Sequence, residues 1–111
     1  MLPENTTAVV ARNERWSGDA ASEPYEAGWA REAVFFVRAL KQPTGPSPTA
    51  RVEISPDGIR WVHEGTEFAM PSQTDGVAVA RIVTFGNWLR IAARFEDGAE
   101  ATVLITLHLK A

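Results

Sequence analysis

The clearest alternation of apolar and polar residues in the chain is Thr102-Val103-Leu104-Ile105-Thr106-Leu107-His108-Leu109-Lys110. Every second residue from Val103 to Leu109 lies on one face of an extended chain, and all of these residues are branched and apolar. The opposite face is mostly polar and ends in His108 and Lys110. This period of two predicts a β-strand with one packed side and one largely hydrated side.

The same alternation precedes it in Trp88–Phe95, where Leu89 and Ile91 share the inward side with Ala93 and Phe95. The connecting segment Glu96–Glu100 contains Asp-Gly, which tolerates the positive φ angles of a tight turn. We therefore predict a C-terminal hairpin formed by these two strands.

A second hairpin is predicted from Arg51–Ile54 through the turn Ser55-Pro56-Asp57-Gly58 to Ile59–His63. Pro56 presets φ at the first corner of the turn, and Gly58 suits a left-handed position. The apolar stretch Val77–Phe85 is rich in β-branched residues on both faces, which predicts a central strand covered on both sides.

Other segments complete the prediction. Further strands are expected at Thr7–Ala11, at Ala33–Leu40 and, as a short one, near Phe68, whereas Lys41–Ala50 is expected to be a proline-rich surface loop. Ser17–Trp29 stays open between a loop and a short helix capped by Ser22.

The fold class that follows is all-β, an antiparallel β-sandwich or jelly roll of seven to eight strands. We expect a single domain, with an N-terminal strand and arm or loop over 1–29 and the sandwich body over 30–111.

Composition narrows the class of protein. The 111 residues include no Cys, and 11 Lys and Arg against 14 Asp and Glu give a net charge of -3 without any basic cluster. We expect no nucleic-acid partner, no membrane span and no signal peptide, and we expect a protein that is cytoplasmic or part of an assembled particle.

Catalytic and cofactor motifs are not found. His63 and His108 are the two histidines, and neither a nucleophile elbow nor a phosphate-binding glycine loop occurs. We predict a protein that is not an enzyme, with no cofactor and no metal. A calcium site built on turn carboxylates is a weaker alternative, with the candidate ligands Asp57, Glu64, Glu67 and Asp75.

Aromatic and arginine side chains carry the functional signal. The chain has four Trp, a high content for this length. Exposed Trp beside Arg suits contacts with another protein or with a sugar ring. The candidate binding or interface residues are Trp16, Trp61, His63, Trp88, Arg90 and Arg94.

The run Ser55-Pro56-Asp57-Gly58-Ile59-Arg60-Trp61, followed by Trp88-Leu89-Arg90-Ile91, resembles the core of discoidin-type (coagulation factor 5/8 type C, galactose-binding-like) β-sandwich domains. The resemblance covers about half of the chain and implies a β-sandwich with a lectin-like role. The chain lacks the cysteines with which extracellular members of that family close the domain.

Two functions are expected from these observations. The first is a structural or interaction module, a homo-oligomeric subunit or decoration of a virus-like, phage or bacterial particle, in which strand edges and aromatic rows contact other protein subunits. The alternative is a carbohydrate-binding module that uses exposed Trp and Arg to bind a glycan.

Overall fold

The computed structural model describes residues 4–111, which form nine β-strands. In chain order they are β1 (Asn5–Trp16), β2 (Asp19–Ala21), β3 (Tyr25–Glu26), β4 (Glu32–Ala39), β5 (Thr49–Ser55), β6 (Val62–Ala69), β7 (Val77–Val83), β8 (Trp88–Arg94) and β9 (Ala101–Lys110).

The strands form two antiparallel sheets. The first sheet has the order β1-β9-β4-β7, and the second has the order β2-β8-β5-β6, with β3 also paired to β8. When β2 and β3 are taken as two halves of one interrupted strand, the chain winds between the sheets as in an eight-stranded jelly roll. The predicted fold class, an antiparallel β-sandwich or jelly roll, is confirmed.

The core lies between the two sheets and is built from the alternating rows that the sequence shows. Ile105 and Leu107 of β9 and Leu89 and Ile91 of β8 are fully buried. The inward faces predicted for the strands now identified as β8 and β9 are therefore correct. A fully buried branched side chain contributes about 1.5–3 kcal/mol relative to an exposed one, so these rows are the main source of stability.

The predicted C-terminal hairpin is wrong. β8 and β9 lie in different sheets, and β9 pairs with β1 and β4 instead. The Glu96–Glu100 turn does form, with the amide of Ala99 donating to the carbonyl of Glu96 at 3.0 Å. It carries the chain from one sheet to the other, because the apolar row of each strand packs against the opposite sheet.

The predicted central position of Val77–Phe85 is also wrong. β7 is the edge strand of the first sheet and pairs with β4 alone among the described residues. Its inward side chains, Ala80 and Ile82, are buried, whereas Val77 and Val83 face outward and are exposed. The second apolar face of this strand is thus not covered by the chain itself.

The hairpin predicted from Arg51 to His63 is confirmed as the β5–β6 pair, but its second strand begins at Val62 instead of the predicted Ile59. Ile59 to Trp61 belong to the turn, and β6 runs on to include Phe68. The open segment Ser17–Trp29 contains β2 and β3 and no helix. Ser22 is buried there, and its hydroxyl accepts a hydrogen bond from the amide of Ile91 at 2.9 Å.

The N-terminal strand is longer than predicted. β1 pairs with β9 from Asn5 to Trp16, interrupted by two register shifts. The loop before β5 is held at the start of β9 by paired backbone hydrogen bonds between Thr44 and Glu100 at 3.0 Å. No helix in residues 4–111 is long and apolar enough to cross a membrane.

Candidate functional site

The β5–β6 turn fixes one end of the second sheet. Asp57 accepts hydrogen bonds from the amides of Ile59 and Arg60 at 2.9 Å, and its second oxygen binds the Arg60 guanidinium at 2.8 Å. The backbone donors of Arg60 and Ile59 are the main reason why the pKa of Asp57 is lowered to about 2. The hydroxyl of Ser55 accepts from the amide of Gly58 at 2.8 Å, which completes a rigid turn.

A buried carboxylate lies next to this turn on the outer face of the second sheet. Glu53 is 7% exposed. One of its oxygens accepts from Nε of Arg90 at 2.7 Å, and the other accepts from Nε of Arg51 at 2.9 Å. Burial alone raises the pKa of Glu53, but the hydrogen bonds and charges of Arg90 and Arg51 outweigh it, so the pKa is lowered. The carboxylate is therefore ionised near neutral pH.

Trp61 and His63 surround this ion-pair cluster. The Arg90 guanidinium lies over the Trp61 ring at 4.2 Å from its centroid, a cation–π contact. Nδ1 of His63 accepts from the amide of Gly65 at 2.8 Å, so Nε2 carries the proton donated to Glu67 at 2.9 Å. Three predicted site residues, Trp61, His63 and Arg90, thus lie on one surface.

The other predicted site residues are more dispersed. Trp88 is half-buried against the turn, since a Cβ built on Gly58 would lie 3.1 Å from its indole. Arg94 shares the outward side of β8 but is highly exposed and lies 3.8 Å from Asp19. Trp16 is buried in the core, and its Nε1 donates to Glu14 at 3.1 Å. Its ring is therefore not accessible to another molecule in this fold.

A shallow recess of about 420 Å³ adjoins Arg90 on the same face. We call it the arginine recess. It is lined by Asp19, Ala20, Ala21, Arg51, Arg90, Ala92 and Ala93.

The outer face of the first sheet has a different chemistry. Register places Val9, Thr106, Phe36 and Val79 in one row across all four strands. Other apolar side chains flank this row, and together they form a surface that we call the apolar face. Its members are Val9, Val34, Phe36, Val77, Val79, Val83 and Leu104.

Phe36 lies at the middle of the apolar face and is 37% exposed. The ring of His108 packs edge-on against it, with 5.0 Å between the ring centroids. The hydroxyls of Thr7 and Thr106 lie 3.3 Å and 3.2 Å from the two ring nitrogens of His108. His108 is therefore part of this surface, with its ring held in one orientation.

A second concave feature is an open cleft of about 520 Å³ at one end of the sandwich, between the β5–β6 turn and the β7–β8 loop. No titratable side chain lines it. The lining residues are Ile54, Ser55, Pro56, Val62, Thr84, Phe85, Gly86 and Asn87.

The carboxylates named as calcium candidates are held by other groups. Asp57 binds its own turn, Glu67 lies at His63, Glu64 accepts from the amide of Thr66, and Asp75 binds Arg38 at 2.8 Å. Within the part of the chain that the structure describes, no group of three or more His, Asp or Glu is placed to hold a metal ion.

No protein-family model matches the chain, and no curated protein sequence matches it.

Proposed function

We propose that this protein is a non-enzymatic β-sandwich subunit or decoration of a larger protein assembly, such as a virus-like, phage or bacterial particle. The observation that carries the proposal is the apolar face. An antiparallel sheet that faces water usually presents polar side chains there, whereas contiguous exposed apolar surface marks an interaction site. Jelly rolls also occur in viral capsids, which is an analogy at the level of the fold.

The partner that we propose for the apolar face is a second copy of this chain. Arg81 and Glu32 lie within this outer face of the first sheet, and neither has an ion-pair partner among residues 4–111. In the register of β4 and β7, Arg81 lies opposite Val34 and Glu32 lies opposite Val83. The two charged residues are therefore in adjacent rows on the outer face of the sheet. A two-fold symmetric contact is reciprocal: if Arg81 of one copy faces Glu32 of the second copy, then Glu32 of the first copy faces Arg81 of the second.

Light scattering over a concentration series tests this proposal with one variant and a matched control. Phe36→Glu places a charge in the middle of the apolar face, and we expect it to reduce the assembled wild-type protein to monomers. Ile59→Glu changes a residue that is 77% exposed in the β5–β6 turn, and we expect it to leave assembly intact. A monomeric wild-type protein at every concentration, with no partner recovered alongside it, would refute the proposal.

A carbohydrate-binding module is the second candidate. It is favoured by the grouping of Trp61, His63 and Arg90 on the outer face of the second sheet. Its test is a tryptophan-fluorescence titration with neutral sugars, in which Trp61→Phe removes the response and Trp16→Phe retains it. If no sugar changes the fluorescence, this candidate function is excluded.

A further inference from the structure

The arginine recess forms because short side chains lie beside long ones. Ala21, Ala92 and Arg51 occupy one row across β2, β8 and β5, and Arg90 and Glu53 occupy the next row. The alanine methyl groups leave a low shelf, and the two arginines rise at its side. The recess is therefore apolar at its floor and cationic at its wall.

Glu53 holds both arginines, which line the recess. It binds each of them through Nε, and Trp61 covers the Arg90 guanidinium from the other side. Nη2 of Arg90 also lies close to the same carboxylate. Neither Nη nitrogen of Arg51 has an acceptor within the described chain, nor does Nη1 of Arg90. Guanidinium donors held in place without acceptors are arranged to bind an anion.

The three-residue cluster of Arg51, Arg90 and Glu53 has a net positive charge. Arg51 and Arg90 carry two positive charges and Glu53 carries one negative charge, which leaves one positive charge in excess. Two further carboxylates lie at the edge of this cluster. Glu67 is the cross-strand neighbour of Arg51 and binds His63, and Asp19 lines the recess 3.8 Å from Arg94. A planar carboxylate also matches the fork of a guanidinium better than a spherical anion does.

We propose that the arginine recess binds a small organic monocarboxylate. Its carboxylate accepts hydrogen bonds from the free terminal nitrogens of Arg51 and Arg90, and its carbon skeleton lies on Ala21 and Ala92. The recess is shallow and open to solvent, with about 420 Å³ of space, so a ligand with one ring would lie on it and stay partly hydrated. The site lies on the opposite face of the sandwich from the apolar face, so it does not depend on the assembly function.

Nuclear magnetic resonance titration of the full chain tests the site, with the Nε–H signals of Arg51 and Arg90 as the readout. Two carboxylates are each compared with a neutral analogue, benzoate with benzamide and glucuronate with glucose, so that the effect of the carboxylate group is measured. The two pairs also distinguish an aromatic acid from a sugar acid. We expect a carboxylate to shift both signals and its neutral partner to leave them in place. Equal binding of the neutral partners, tighter binding of inorganic phosphate, or no response to either carboxylate would overturn the proposal.

Variants locate the binding. Arg51→Gln should raise the dissociation constant of the carboxylate at least about tenfold, since a charge-assisted hydrogen bond is lost. Arg94→Gln removes an arginine on the same face but outside the recess, and binding should be unchanged. Equal weakening by both variants, or by neither, contradicts the assignment.

A second pair of variants keeps both arginines. Ala21 is exposed on β2, so a longer side chain fits there without repacking the core. Ala21→Glu supplies a carboxylate from the protein itself and should block the external one, whereas Ala21→Gln has the same size without the charge and should block it less. If the two side chains block equally, the recess has no preference for an anion and the proposal fails.

Discussion

At the residue scale, Asp57 holds the β5–β6 turn through two backbone amides and one guanidinium. Its pKa lies at about 2 in the folded protein, below the ordinary value of 3.8. A carboxyl whose folded pKa is depressed stabilises the fold above its unfolded pKa, and this stabilisation disappears as the pH falls through the folded value. The contribution of Asp57 is therefore present above about pH 4 and lost toward pH 2.

We predict that Asp57→Asn lowers the free energy of unfolding at pH 7 and flattens its pH dependence between pH 4 and pH 2. The neutral amide keeps one acceptor but loses the charge that binds Arg60. Urea unfolding of both proteins across this range measures the effect. Asp97→Asn is the control, because Asp97 lies in the separate Glu96–Glu100 turn. This variant should keep the wild-type pH dependence of the free energy of unfolding. An unchanged slope in Asp57→Asn would show that the turn does not depend on the ionised carboxyl.

At the scale of elements, Gly45 joins the loop before β5 to the start of β9. Its φ is +70°, and an added Cβ would lie 2.9 Å from the Cα of Ala99. We predict that Gly45→Ala destabilises the fold by about 2 kcal/mol or more, because left-handed strain of about 1–2 kcal/mol adds to a clash with backbone.

Gly18→Ala is the matched control for this substitution. Gly18 has φ +58° but no atom within 4 Å of an added Cβ, so only the conformational strain of about 1–2 kcal/mol applies. Thermal unfolding of both variants measures the difference. Equal losses would mean that the contact between the loop and β9 is not close in solution.

Strand identity follows well from the sequence, whereas strand pairing does not. The alternation in β8 and β9 predicts both their extended conformation and their inward faces, because burial of one face requires a period of two. The Asp97-Gly98 turn, however, is equally suited to joining two strands of one sheet or two strands of different sheets. Its local geometry does not specify the partner, so the C-terminal hairpin was a wrong prediction.

The candidate sites depend on pairing and are therefore less accessible from sequence. Alternation placed Arg90 and Arg94 on the outward side of β8, but the contact of Trp61 with Arg90 requires the β5–β6 turn to fold back. The role of Glu53 was not predicted, because an isolated Glu in a strand resembles any surface carboxylate. The second apolar side of β7 is the sequence signal of the apolar face, and the prediction of a covered central strand assigns this side to the core.

At the scale of the whole molecule, the two outer faces differ in chemistry. The first sheet exposes valines and Phe36 together with Glu32, Arg81 and the Arg38–Asp75 ion pair, and the second exposes the arginines bound to Glu53. A protein that acted alone would leave the first face in contact with water. The contrast is expected for a subunit in which one face is covered in the assembly and the other remains accessible to a ligand.

A charge exchange across the apolar face tests whether the partner is a second copy. We predict that Arg81→Glu and Glu32→Arg each weaken self-association about threefold to tenfold, and that the double variant restores it, because the two charges then meet in reversed order. Sedimentation equilibrium gives the dissociation constants. Additive losses in the double variant would rule out this pairing of the two residues.

Labelling of single cysteines shows whether another subunit covers the apolar face, because the chain has no Cys of its own that would react. Val83→Cys lies on the apolar face and Val62→Cys lies outside it, at native exposures of 61% and 56%. The measurement is the rate of alkylation in concentrated and in dilute protein. We predict that concentration protects position 83 at least about tenfold and leaves position 62 unchanged. Equal rates at both positions and at both concentrations would contradict the account.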